Sequence, residues 1–433
     1  MNLLKSLKVR FLNFIIKLLL RFYAINFLVF IYSILLIKKN KRKKKKTLLA
    51  LIPNKFRGDL EILSNGEKFS IIALEEEWLL TLFNFFYPLK VKPKNLYNRE
   101  NHTLKFQNKY IDFLKIFLKS FYKKNRVSAV ITADVRYVNT IDFCSISKRL
   151  NVPWIVLHRE NLYACDSVFT FAKARHKRFN NFTGNRIIVH NEATKSMFVS
   201  SGFVSQRKVS VAGCLRMDKW TSYTSNKLVK NQKRKKVTLF SFVLWRHTPY
   251  PDEIFTKTHE KFIEFAIKNP TITFIIRPKP IFLEKTDWLK KVTLCNKNVT
   301  ARNTLPNNLI IDSTTNTHNL IKDSIFVVGL NSTVLLEAAI TNIPVIIPYF
   351  DRIRKKSYNN KIYFFDYLDC FDLPRNENEM FKIFKHRMQH PQVNKYIQNR
   401  RKILFEKYVS KFNVNSLKLY EDIIFNEINV MKV

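Results

Sequence analysis

The sequence predicts an α/β protein with two doubly wound parallel sheets. Short apolar runs alternate with helical patterns from Thr47 to Val211. A polar, basic segment, residues 221–236, interrupts this alternation, which restarts at Val237. Continuous apolar runs are typical of strands buried on both faces, as in a parallel sheet covered by helices. The interruption and restart therefore indicate two such domains in succession.

An apolar run, Phe22–Ile37, precedes both domains and is followed by the polybasic residues 38–46. Apolar helices flanked by Lys and Arg anchor proteins to membranes, and the basic residues bind anionic headgroups on the cytoplasmic side. We therefore expect an N-terminal apolar membrane helix, with the rest of the chain on the cytoplasmic side of the inner (plasma) membrane. The run of 16 residues is shorter than the ~20 that span a bilayer, so spanning and half-buried placements both stay open.

These patterns divide the chain into five predicted parts. They are the membrane helix with its polybasic segment (1–46), an N-terminal α/β domain (47–220), a linker (221–236), a C-terminal α/β domain (237–390) and a helical region (391–433).

The chain of 433 residues carries a formal net charge of +43. This excess is spread along the sequence, with no Arg-rich stripe and no nucleic-acid-binding module, so nucleic acid is not the expected partner. The polybasic residues 38–46 instead favour an anionic membrane surface. The five cysteines are dispersed without a C-x-x-C pair, which argues against zinc and redox motifs and suits a reducing compartment. We expect neither a metal nor a cofactor.

The segment Ile325–Tyr349 predicts a buried strand, a polar turn, a helix and a second buried strand. The turn Gly329–Thr333 places small polar side chains at the helix start, where backbone N–H groups attract anions. Glu337 lies one helical turn beyond Thr333 on the same face. This pattern suits a nucleotide diphosphate, although Ser and Thr also cap helices for purely structural reasons.

Several segments together carry a resemblance to a known family. Gly329–Ala339 with Pro344–Pro348 is similar to the donor-binding domain of GT-B glycosyltransferases. More narrowly, it resembles bacterial surface and capsular polysaccharide biosynthesis proteins related to CDP-glycerol glycerophosphotransferases. Val211–Asp218, Phe274–Pro280 and Pro153–Glu160 resemble further segments of those families. The resemblance implies a GT-B-like fold, with two Rossmann-like domains facing a cleft.

The resemblance also implies roles for individual residues. Ser332 and Thr333, next to Asn331, would contact the donor phosphates, and Glu337 the ribose hydroxyls. Arg277 and Lys279 would offset the diphosphate charge in place of a metal. Lys279 stands where the family usually has His, and Asn342 where it has Gly.

Three residues that follow strands are candidates for the base on the acceptor side. His158 and Glu160 follow one predicted strand, and Asp134 ends the preceding one. We favour His158, because neutral imidazole suits proton transfer near pH 7.

Three hypotheses on function remain open at this point. The first is a membrane-associated glycosyltransferase that moves a sugar from a nucleotide-activated donor to a saccharide or lipid-linked acceptor in cell-surface polysaccharide assembly. The second is a polyol phosphate transferase that uses a CDP-polyol such as CDP-glycerol. The third is a non-enzymatic basic adaptor for a membrane or nucleic acid.

Overall fold

A computed structural model describes most of the chain, in two compact units. The described residues are 2–39, 46–56, 58–159, 161–225, 234–242, 252–285, 287–296, 305–412 and 414–431. Unit 1 comprises Met1–Asn161, Thr170–Asp218 and Asn413–Val433, and unit 2 comprises Leu162–Phe169 and Lys219–Phe412.

Unit 1 contains a seven-stranded sheet in the order β1-β3-β2-β4-β5-β6-β7. Its strands are β1 (Ile37–Lys38), β2 (Lys46–Leu51), β3 (Phe69–Leu74), β4 (Val127–Thr132), β5 (Trp154–Leu157), β6 (Arg186–Val189) and β7 (Val209–Val211). All pairs are parallel except β1 with β3. β4 to β7 are added on the side of β2 opposite β3, so the strand order reverses beside β2, which is where doubly wound sheets bind ligands.

The helices of unit 1 precede and connect these strands. They are α1 (Asn2–Arg21), α2 (Ile25–Ile34), α3 (Asp59–Asn65), α4 (Glu76–Phe86), α5 (Pro93–Tyr97), α6 (Asn101–Asn125), α7 (Val138–Arg149), α8 (Asp166–Lys177) and α9 (Glu192–Ser200). The next helix, α10 (Asp218–Ser225), belongs to unit 2 except for its first residue. The final helix of the chain, Ser416–Val430, also packs in unit 1 and buries Tyr420 and Ile424 in the same core as Leu48 of β2.

The apolar run Phe22–Ile37 is only partly helical, since α2 covers Ile25–Ile34, and a membrane-spanning helix is not supported there. α1 ends at Arg21, and Tyr23 has a left-handed φ of 49°, which breaks the helix before α2 begins. Apolar residues of α2 pack into unit 1, where the Tyr32 hydroxyl donates to the Trp78 carbonyl oxygen at 2.9 Å. Within the described ranges, no helix combines the length and hydropathy needed to cross a bilayer.

Unit 2 contains a five-stranded, fully parallel sheet in the order β10-β9-β8-β11-β12. Its strands are β8 (Lys236–Phe240), β9 (Thr273–Arg277), β10 (Leu309–Ile311), β11 (Ser324–Gly329) and β12 (Val345–Ile346). Its helices are α11 (Asp252–Ile267), α12 (Pro280–Lys285), α13 (Trp288–Leu294), α14 (Thr317–Asp323), α15 (Thr333–Ala339), α16 (Glu377–Gln389) and α17 (Lys395–Tyr408), which leaves α18 for the final helix. The mixed α/β class with parallel sheets is thus confirmed.

Parts of two predicted segments lie outside the described residues. They are the polybasic residues 40–45 and residues 226–233 of the linker. The predicted domain boundaries stay predictions.

Candidate functional site

The carboxyl ends of three neighbouring strands meet at one edge of the unit 2 sheet. Phe240 at the end of β8 is in register with Arg277 of β9 on one side and Gly329 of β11 on the other. Since adjacent strands are ~4.8 Å apart, the backbones at Arg277 and Gly329 are about 10 Å apart. The Arg277 side chain and the turn after Gly329 therefore share the edge where parallel sheets bind ligands.

Arg277 is held in place at this edge by the loop after β10. Its Nη1 donates to the Asp312 carbonyl oxygen at 3.0 Å and lies 3.9 Å from the Asp312 carboxylate. Burial lowers the pKa of Arg277, and the neighbouring Asp312 opposes that shift, so the guanidinium stays charged. Lys279, two residues further on, is exposed, with its ammonium group 5.9 Å from the centre of the Phe282 ring.

The three polar residues of the turn after β11 differ in their contacts and in their exposure. Asn331 has a left-handed φ of 47°, and its side chain bonds the Lys361 carbonyl oxygen (3.0 Å) and the Tyr363 amide (3.1 Å). Ser332 caps α15, since its Oγ accepts from the Val334 amide at 3.4 Å. Thr333 is exposed. Asn331 thus binds the segment around Lys361 and Tyr363, whereas Thr333 has the most accessible side chain of the three.

Glu337 forms a partly buried pair with His318, which no sequence pattern indicated. His318 of α14 lies 2.9 Å from the Glu337 carboxylate, measured from Nε2 to Oε2, and the two side chains are 22% and 13% exposed. The His318 ring stacks on Trp220, with centroids 4.3 Å apart and planes 2° from parallel. Trp220 also donates from Nε1 to the Glu337 carbonyl oxygen at 2.9 Å. This Glu337–His318–Trp220 cluster fixes the carboxylate while leaving part of it accessible.

The base candidate Asp134 follows β4 in unit 1 and is bound by Arg136. The Arg136 amide and Nε each donate to Asp134 Oδ1 at 2.9 Å. Burial raises the pKa of Asp134, but the hydrogen bonds and charge of Arg136 together with the charge of His158 outweigh burial and leave the pKa below its usual value. Such a carboxylate stays ionised and is a weak base.

His158, the favoured base, is buried in unit 1. It has no exposed surface, and its ring contacts the Phe198 ring edge-on with centroids 4.8 Å apart. An acceptor hydroxyl cannot reach this imidazole unless the surrounding chain moves. Glu160 lies outside the described residues. The roles of His158, Glu160 and Asp134 in catalysis stay predictions.

Among the residues whose placement is described, no three His, Cys, Asp or Glu side chains are grouped as metal ligands would be.

Comparisons with known proteins give structural matches only. No protein-family model matches the chain, and no curated protein matches its sequence. A putative UDP-N-acetylglucosamine 2-epimerase from Listeria monocytogenes has 8% identity and a TM-score of 0.48, over 89% of this chain and 96% of that one. A UDP-GlcNAc 2-epimerase from Neisseria meningitidis bound to UDP-GlcNAc has 12% identity and a TM-score of 0.44, over 88% and 100%.

A variant of the wall teichoic acid polymerase TagF with CDPG is a third similar structure. It has 10% identity and a TM-score of 0.48, over 100% of both chains. At these values the similarities are too low to support an argument on function, which must rest on the residues of this chain.

Proposed function

We propose that this protein is a GT-B-like glycosyltransferase whose unit 2 binds a nucleotide-activated sugar. The observation that carries the proposal is the Glu337–His318–Trp220 cluster. Its residues Glu337 and His318 lie on α15 and α14, which begin just after the carboxyl ends of β11 and β10, the edge where Arg277 ends β9. A fixed carboxylate is a hydrogen-bond acceptor for the two hydroxyls of a ribose. Arg277 and Lys279 supply positive charge for a diphosphate.

The proposed reaction needs this charge when the leaving group departs. The acceptor hydroxyl oxygen forms a bond to the anomeric carbon of the sugar, and the bond from that carbon to the diphosphate oxygen breaks. The electron pair leaves with the nucleotide, while the hydroxyl proton passes to a base. Positive side chains near the diphosphate stabilise the charge that develops on it.

Thermal unfolding of the full chain with a panel of nucleotides and activated donors tests this proposal. We expect at least one UDP-, GDP-, CDP- or CMP-linked donor to raise the midpoint for the wild type, and to do so less for Glu337→Gln. Glu264→Gln is the matched control, because Glu264 lies on a different helix, α11, and forms ion pairs with Lys261 and Lys268. If no donor shifts the midpoint of the wild type, the proposal fails.

The nucleotide released during turnover separates sugar transfer from polyol phosphate transfer. UDP or GDP indicates sugar transfer, whereas CMP released from a CDP-polyol indicates transfer of a polyol phosphate. An adaptor without activity would release neither.

We also propose that the pair α1–α2 lies on an anionic membrane surface. Its inner face is buried in unit 1, but several outward aromatic and aliphatic side chains are more than half exposed: Phe11, Phe14, Phe22, Tyr23, Phe27, Phe30 and Ile34. Exposed Arg10, Lys17 and Arg21 lie among them. Apolar side chains interleaved with cations are typical of helices that lie in the interfacial region of a bilayer.

Sedimentation with vesicles tests this membrane proposal. We expect the wild type to sediment with vesicles that contain an anionic lipid, and Phe22→Ser/Phe27→Ser to remain in the supernatant. Tyr396→Ser is the control, because Tyr396 of unit 2 is equally exposed, at 65% against 67% for Phe27. Equal binding by all three proteins would refute a role for α1–α2.

A further inference from the structure

A pocket of about 410 Å³ in unit 1 is lined mainly by cations. It lies beside the loops that follow β4 and β5, at the carboxyl edge of the sheet. Its basic side chains are Lys92, Lys94, Arg136, Arg159, Arg175 and Arg178. Asp134 is the one carboxylate among the described lining residues, and Arg136 already binds it.

The cations come from four separate parts of unit 1. Lys92 and Lys94 flank the start of α5, Arg136 and Arg159 follow strands, and Arg175 and Arg178 are at the end of α8. Cations on one face of an exposed helix usually serve only to keep that face solvated. Here the cations of four chain segments line one concave site, and solvation of a single helix does not explain this arrangement. Placing like charges together costs free energy that a bound anion would recover.

The local fold adds positive potential to this pocket. α7 begins at Val138, directly after the lining residues Arg136 and Tyr137, so the positive end of its dipole lies next to the pocket. Arg159 is fixed by a 3.2 Å bond from its Nη1 to the Lys55 carbonyl oxygen, which places it near the point where strand order reverses. One lining cation is partly neutralised, since Lys94 lies 3.4 Å from Glu100.

We infer that this pocket binds the diphosphate group of the acceptor. Arginine is the side chain best suited to phosphate oxygens, because its planar guanidinium makes two parallel hydrogen bonds. The lining sets four arginines and two lysines against one carboxylate, which leaves more positive charge than a single phosphate needs. The pocket volume suits a small-molecule group. That the ligand is the acceptor rests on the proposed function, whereas the binding of diphosphate does not.

Calorimetric titration of the full chain with inorganic pyrophosphate tests the inference. Arg175→Gln/Arg178→Gln removes two lining cations, and Lys173→Gln/Lys177→Gln removes two charges from the same helix without altering the lining. We expect the first pair to weaken pyrophosphate binding at least about tenfold and the second by less than about twofold. Equal weakening by both pairs, or no binding by the wild type, would overturn the inference.

Competition against pyrophosphate identifies the source of the diphosphate. A short-chain prenyl diphosphate that displaces it indicates a lipid-linked acceptor, whereas displacement by a soluble sugar diphosphate alone indicates a soluble one. Displacement by neither source overturns the acceptor assignment.

If nucleotide binding is lost in Arg175→Gln/Arg178→Gln but kept in Glu337→Gln, the pocket is a donor site and the acceptor assignment fails. If the wild type binds pyrophosphate but no nucleotide or activated donor, the pocket does bind diphosphate, and the proposed function fails.

Discussion

Units 1 and 2 present different chemistry at the same position in similar sheets. Unit 1 gathers six cations around a carboxylate that Arg136 holds. Unit 2 sets one carboxylate against an imidazole, with Arg277 and Lys279 near the same sheet edge. A parallel sheet therefore specifies where a ligand binds, and the loops after its strands specify which ligand. This contrast suggests a strongly anionic ligand for unit 1 and a hydroxyl-rich one for unit 2.

Removing Arg136 should produce the largest effect, and only in unit 1. Arg136→Ala leaves the Asp134 carboxylate, 2% exposed, without its cation, which should cost about 3–5 kcal/mol of unfolding free energy. Hydrogen exchange resolved by peptide should show faster exchange in β4 and no change in β11. Asp134→Asn/Arg136→Ala should recover part of the loss. A single variant as stable as the wild type would show that the pair does not stabilise unit 1.

Acid should destabilise the two units to a similar extent. Burial lowers the pKa of His176 in unit 1 and of His259 in unit 2, each to about 4. The unfolded chain binds a proton near pH 6.5 and the folded chain does not, so stability is complete above that pH and falls as the pH drops toward 4. Each histidine should cost up to about 3 kcal/mol over this range.

Urea unfolding at pH 7 and pH 5 checks this pH dependence. His259→Gln should make unit 2 less sensitive to pH, whereas His390→Gln, which alters an exposed residue, should not. Identical pH sensitivity in His259→Gln and the wild type would rule out His259 as the group responsible.

Removing the partner of Glu337 should have the smallest effect. His318→Gln keeps a hydrogen-bond donor near Glu337 but loses the stacking of the imidazole on Trp220. Nucleotide affinity should fall by about 1 kcal/mol, or about fivefold, while pyrophosphate affinity of unit 1 stays the same. Fluorescence titration with the nucleotide that stabilises the wild type most measures the nucleotide affinity, and calorimetry measures the pyrophosphate affinity. A change in both affinities would contradict the separation of the two sites.

Much of the sheet structure was predictable from the sequence. Runs such as Thr47–Ile52 and Val127–Thr132 are mostly apolar and correspond to β2 and β4. The turn before α15 was also predicted, because Ser332 is a favoured N-cap residue. In these cases the signal is local, so neighbouring residues are sufficient to define it.

The candidate sites were harder to predict, since they depend on residues distant in sequence. His318 and Glu337 are brought together only by the packing of α14 on α15. α8, which supplies Arg175 to the pocket and is followed directly by Arg178, was not predicted, and only two of its residues, Ala172 and His176, are buried. His158 shows the reverse problem, because nothing in the sequence around it indicates that its ring is fully buried.

Calorimetric titration of the full chain with the nucleotide diphosphate of the best donor tests the central claim most directly. Glu337 of unit 2 is predicted to hold the ribose, so Glu337→Gln should raise the Kd by about 10- to 100-fold, the value of a hydrogen bond to a charged group. Glu264→Gln should bind as the wild type does. If Glu337→Gln binds the nucleotide as tightly as the wild type, unit 2 does not bind its donor through this carboxylate, and the account is wrong.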